Sequence, residues 1–131
     1  MTGPILIIED DPDIVDLLRY NLQSKEYPTR VALNGKEGLM ASMDQAERPS
    51  LILMDLLLPG MNGLEICRRL RREKSTKAIP IIMVTAKASE SDFANAKAAG
   101  VDDYITKPFS VAKLLERIDF LLRQRSEVGH S

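Results

Sequence analysis

Residues 51–63 read LILMDLLLPGMNG: four apolar residues, an acid at Asp55, three leucines, then Pro59, Gly60, Asn62 and Gly63. Four apolar residues closed by turn-formers are too few for a helix and lack the alternation of a half-exposed strand. The run therefore predicts a strand buried on both faces, as in a parallel sheet. Runs of the same kind occupy 4–8 and 79–84, with shorter, more mixed candidates at 29–33 and 103–106. Segments of helical period lie between them: 13–24 with Ile14, Leu17, Leu18 and Leu22; 35–43; 64–73 with Cys67 and Leu70; 89–99; and 111–123 with Leu114, Leu115, Ile118 and Leu122. Five strand-helix repeats predict an α/β fold, an open doubly wound parallel sheet of five strands with helices on both faces and right-handed crossovers. The ligand site of such a sheet lies outside the carboxyl ends of its strands.

The chain has 131 residues, one domain's worth, enough to bury roughly two-thirds of its unfolded surface. With 44% apolar and 28% charged residues and a net charge of -1, it matches an ordinary globular protein and argues against broad affinity for nucleic acid. The lone Cys67 excludes an internal disulfide, no Cys/His cluster offers a zinc site, and a reducing compartment, the cytoplasm, is expected. The start, MTGPILIIEDD, has neither the basic region nor the apolar length of a signal peptide or membrane span. The basic run at 68–72 reads as a solvated helix face, and Met40, Met43, Met54, Met61 and Met83 as fillers of the core or its edges.

Chemistry gathers at the strand ends. Glu9-Asp10-Asp11 follow the first strand and Asp55 the third, while Thr85-Ala86 end the fourth and Lys107-Pro108 the fifth, so all fall on one edge of the sheet. Carboxylates converging there repel one another unless a cation neutralises them, and all-oxygen ligands suit Mg²⁺. Asp11 before Pro12 is also a good helix N-cap. The hydroxyl of Thr85 and the ammonium of Lys107 are the donors that would hold phosphoryl oxygens beside such a cation.

With IIEDD at 7–11, LILMDLLLPGMNG at 51–63, IIMVTA at 81–86 and DDYITKPF at 102–109, the chain resembles bacterial response-regulator receiver domains, the chemotaxis-type phosphoacceptor modules of two-component systems. The resemblance implies a flavodoxin-like (βα)5 sheet of order 2-1-3-4-5, with a receiver over 1–125 and a disordered tail over 126–131. It implies that Asp55 is phosphorylated by a sensor histidine kinase or phosphotransfer protein. Mg²⁺ would be held by Asp10, Asp55 and the carbonyl of Leu57, and by Glu9 mostly through water. Thr85, Lys107 and the N–H of Ala86 would bind the phosphoryl oxygens, Tyr104 would switch rotamer with Thr85, and Lys107–Pro108 would be cis. Such a domain is not an enzyme beyond its own phosphorylation and dephosphorylation, for which a bulky Leu57 and Lys87 beside the water's path suggest a slow second step.

The output expected from the resemblance is a change of the face made by the fourth helix, fifth strand and fifth helix, read by a partner or output domain. The stretch SVAKLLERIDFLLRQR looks most like receivers that precede a winged-helix DNA-binding domain and pair through this face, where Asp102, Asp103 and Arg117 would serve. Phe93, Lys97 and Lys113 depart from that class's charge pattern. Two readings remain open: a stand-alone receiver, or the excised receiver of a transcription factor that dimerises on phosphorylation. A haloacid-type phosphatase needs an acid at position 57, which is Leu; a receiver acting by protein binding without phosphorylation would have lost Asp55, Lys107 or the acidic pair, and all are present. Direct contact with nucleic acid or membrane is not expected.

Overall fold

The computed structural model describes residues 3–130, with side chains through residue 124; the expected tail over 126–131 lies outside the residues described in full. Ten elements alternate: β1 (Ile5–Ile8), α1 (Pro12–Ser24), β2 (Thr29–Ala32), α2 (Gly35–Ser42), β3 (Leu51–Met54), α3 (Gly63–Arg72), β4 (Ile81–Thr85), α4 (Glu90–Ala99), β5 (Asp103–Thr106) and α5 (Val111–His130). The strands form one parallel sheet of order β2-β1-β3-β4-β5, as expected.

The uninterrupted apolar runs are explained by the two layers that cover the sheet. Leu6, Ile8, Ile52, Met54, Ile81 and Met83 face α2, α3 and α4, where Ala41, Ile66, Cys67, Leu70 and Ala99 close the core. Their neighbours Ile5, Ile7, Leu51, Leu53, Ile82 and Val84 face Leu18 and Leu22 of α1 and Leu114, Ile118 and Leu121 of α5. Because successive side chains point to opposite faces, a strand covered on both must be apolar at every position.

Helix starts are fixed by side chains. Asp11, Asn34 and Asn62 each accept from a backbone N–H of the first turn, and Ser89 and Asp92 form a reciprocal capping box. Gly63 begins α3 against the end of β3: a Cβ there would sit 2.6 Å from the Asp55 carbonyl oxygen. Glycine at this position thus lets the helix start where the site begins.

Three expectations needed revision. On α1 the buried stripe is Val15, Leu18 and Leu22, and Leu17 is 40% exposed, because the 3.6-residue period points it away from that stripe. Met40 projects into solvent at 67% exposed and Met43 lies at the edge at 36%, whereas Met54 and Met83 are core residues. In the basic run, Arg71 is not part of a solvated face. It donates to the carbonyls of Gly100 at 2.9 Å, Lys77 at 3.0 Å and Ile79 at 2.7 Å and pairs with Asp102 at 2.8 Å. These bonds tie α3 to the starts of β4 and β5.

Tyr27 ties the β2 side to α5 through a 2.6 Å hydrogen bond from its hydroxyl to Asp119. Burial, then the Asp119 carboxylate, push its pKa up to about 12. A phenol whose folded pKa is raised lends stability that is full below its ordinary pKa, about 10, and is lost as pH rises through 12. In an ultraviolet titration, Tyr27→Phe is expected to delete the component ionising near pH 12; survival of that component in the variant would refute the assignment.

Candidate functional site

The ladders deliver the site. The Asp55 N–H donates to the Ile8 carbonyl at 3.1 Å, the Glu9 N–H to Ala32 at 3.0 Å and the Lys107 N–H to Thr85 at 2.9 Å, so each strand's pairing carries one step past its end. Glu9, Asp10, Asp55 and Lys107 are brought together at the carboxyl edge. Lys107 Nζ donates at 2.8 Å to Glu9 Oε1 and at 2.8 Å to Asp55 Oδ2. Glu9 Oε2 accepts from the N–H groups of Asp10 and Asp11, both at 3.1 Å, and Asp55 Oδ1 from the Leu57 N–H at 3.0 Å.

Burial shapes the electrostatics. Glu9 and Asp55 are only 3% and 8% exposed, while Asp10 is open to solvent. Burial raises the pKa of Glu9, a trend that Lys107 and the Asp11 N–H oppose without reversing. Burial likewise acts to lower Lys107, but its hydrogen bonds to Asp55 and Glu9 outweigh this and hold it above the ordinary lysine value. The ammonium is therefore a fixed positive charge shared by two carboxylates.

One carboxylate oxygen from each of Glu9, Asp10 and Asp55 lies within 4.8 Å of the others. This all-oxygen set, open on the Asp10 side, fits a hard divalent cation of the size of Mg²⁺.

The remaining candidates line the same edge without joining the acids. Thr85 is fully buried, and its hydroxyl accepts from the Lys87 N–H at 3.4 Å. Ala86 is exposed. Leu57 is 53% exposed, and Pro108 follows a cis peptide bond from Lys107. The Tyr104 hydroxyl donates to the Lys87 carbonyl at 2.8 Å, and its ring meets Phe93 edge-on at 4.5 Å between centroids. Burial, then Asp92 and Asp55, raise the Tyr104 pKa. Residue reading missed the backbone of Lys87, which joins Thr85 to Tyr104, because backbone groups leave no trace in residue identity.

The charges proposed for pairing between copies are engaged within the chain. Asp103 is bonded to Arg117, and Asp102 accepts from Arg71 and from the Ile81 N–H. Arg117 also lies over the Phe120 ring. Cys67 is buried in the α3 core, its thiol donating to the Ala99 carbonyl at 3.2 Å, and burial pushes its pKa up to about 11; a protonated thiol there is unreactive.

The family model for the response regulator receiver domain matches residues 5–119. The chain is 39% identical over 124 residues to the phosphate regulon transcriptional regulatory protein PhoB of Rhizobium meliloti (strain 1021), covering 95% of this chain and 54% of that protein. It spans about half the length of the curated relatives it matches. Among solved structures it is similar to a CheY-like response regulator receiver domain protein from Methanospirillum hungatei JF-1 (TM-score 0.87, 31% identity, 97% of this chain and 98% of that one). It is also similar to the receiver domain of a sensor histidine kinase from Pseudomonas aeruginosa PAO1, described with a magnesium ion coordinated in its active-site cleft (TM-score 0.83, 30% identity, 93% and 98%).

Proposed function

We propose that this chain, which belongs to the response regulator receiver domain family, takes a phosphoryl group onto Asp55 from a sensor histidine kinase or phosphotransfer protein. The observation that carries this reading is the arrangement of Asp55, nearly buried, with one oxygen on Lys107 and the other on the Leu57 N–H. A carboxylate oxygen of Asp55 attacks the phosphorus of a phosphohistidine; the P–N bond breaks as the P–O bond forms, and the imidazole nitrogen leaves with the electron pair. Hydrolysis reverses the gain: water attacks phosphorus, the acyl P–O bond breaks, and Asp55 is again a carboxylate.

Mg²⁺, held by Glu9, Asp10, Asp55 and the Leu57 carbonyl, would neutralise charge gathering on the phosphoryl oxygens. Lys107 supplies the fixed positive charge that the same oxygens require in both steps. Ala86, small and exposed, leaves room for the phosphoryl group and offers its N–H. Exposed Leu57 shields the acyl phosphate from in-line water. Leu57→Ala should shorten the lifetime of radiolabelled acyl phosphate by about tenfold, and an unchanged decay would contradict the shielding.

Thr85 links the chemistry to the surface. When its hydroxyl turns to a phosphoryl oxygen it releases the Lys87 N–H, the residue whose carbonyl holds Tyr104, which in turn packs on Phe93. The α4-β5-α5 face is thereby the output surface. Thr85→Ala is expected to accept phosphate from acetyl phosphate while the NMR signals of the Tyr104 and Phe93 rings stay where they were; a native-like shift in those signals would rule out the relay.

The relatives of about twice this length include transcriptional regulators, which favours the receiver portion of such a regulator as the setting. The unit over 1–125 corresponds to that portion. No helix among the described residues is long and apolar enough to cross a membrane. Among the described contacts, Asp102, Asp103 and Arg117 must exchange partners before they could pair two copies.

A further inference from the structure

The α2–α3 side carries a charge pattern that phosphoryl chemistry does not use. Residues 68–77 hold six cations and one acid in a chain whose net charge is -1. Arg71 is bound internally, but Arg68, Arg69, Arg72, Lys74 and Lys77 are exposed, and none forms an ion pair among the described residues. One apolar side chain borders this basic surface. Met43, the residue that closes α2, lines one cleft of about 330 Å³ with Arg69, Arg72 and Glu73 at the end of α3. Met40, 67% exposed and one turn earlier on α2, lines a separate cleft with Glu37 and Asp44. The end of α3 leads into the start of β4, so the Met43 cleft lies at the opposite edge of the sheet from Asp55.

Exposed methionines are flexible and polarisable, and they suit adaptable contacts with apolar side chains. Unpaired arginines beside them seek carboxylates, which they bind in a forked geometry. We propose that this cleft docks an acidic, amphipathic segment of a partner protein, with an apolar side chain on Met43 and its carboxylates on Arg69 and Arg72. Lys74 and Lys77 steer its approach. A second copy presenting the same face would set like charges against each other. Nucleic acid fits less well, because Glu73 would face its phosphates and no aromatic ring lines the cleft for a base to stack on.

The test is fluorescence anisotropy of the whole chain with a labelled synthetic peptide of Leu and Glu at helical spacing, compared with poly-glutamate and with duplex DNA. The docking surface predicts salt-sensitive peptide binding that Arg69→Glu/Arg72→Glu weakens by about tenfold or more. Met43→Ser should weaken it too, and Arg19→Glu on α1 should leave it unchanged. All these positions are exposed, so each variant is expected to stay folded, with a modestly lower thermal midpoint for the double reversal, which sets two acids at the C-terminal turn of α3. Absence of peptide binding, equal binding of poly-glutamate or duplex DNA, or an affinity that the double reversal does not alter would each overturn the proposal. None of these readouts depends on phosphorylation of Asp55.

Discussion

Asp55→Asn leaves the protein folded and lowers its labelling by acetyl phosphate, or by a phosphorylated histidine kinase, by on the order of 10³-fold or more. The amide has nearly the volume of the carboxylate, and its oxygen can still accept from the Leu57 N–H, a bond of 3.0 Å in the native protein. Lys107 keeps Glu9 as a partner at 2.8 Å, so no cation is left alone. What disappears is the anionic oxygen that is proposed to attack phosphorus. The outcome to measure is the pair of results, a thermal midpoint near the native one together with loss of label. Undiminished labelling of the Asn variant would move the acceptor away from Asp55.

Lys107→Met is the second large effect, and it acts on stability as well as chemistry. Methionine fills a similar volume but removes the charge that bridges Glu9 and Asp55, two carboxylates only 3% and 8% exposed. Breaking a buried ionic cluster by removing one partner costs about 3 kcal/mol, because the charges left behind stay buried without compensation. In the presence of a chelator, the urea midpoint is therefore expected to fall well below the native one. Saturating Mg²⁺ should restore much of the loss, since a cation bound by the folded state alone stabilises it by mass action. The variant should also label poorly, having lost the charge proposed to face the phosphoryl oxygens. A chelator-treated variant with a native midpoint would show that the Lys107 bridge does not hold this edge together.

Fold and site were legible to different depths. The runs at 4–8, 51–54 and 79–84 were readable as doubly covered strands, which the structure has at 5–8, 51–54 and 81–85, because burial on both faces demands apolar residues at consecutive positions. The placement of Glu9, Asp10, Asp55, Thr85 and Lys107 on one edge followed from their positions just at or past strand ends. Arg71 was not legible: as one arginine in a basic run it looks like its neighbours, and only the proximity of Gly100, Lys77, Ile79 and Asp102 sets it apart. Nor did helical period distinguish Leu17 from Val15, or Met40 from a core methionine, since each is decided by where the helix is rotated on its sheet.

Hydrophobic period and residue type are local properties of the chain, and they suffice for the alternating α/β architecture and for the chemical kinds present at the sheet's edge. Which of those groups meet depends on packing between distant parts of the chain. Lys107 is 98 residues from Glu9 and 52 from Asp55, yet one ammonium bonds both, because parallel pairing aligns the ends of strands far apart in sequence. Tertiary packing also set Thr85 on Lys87 rather than on the acids, and exposed the Met43 cleft, since side-chain direction and the use of backbone groups are fixed by neighbours that the chain supplies only once it has folded.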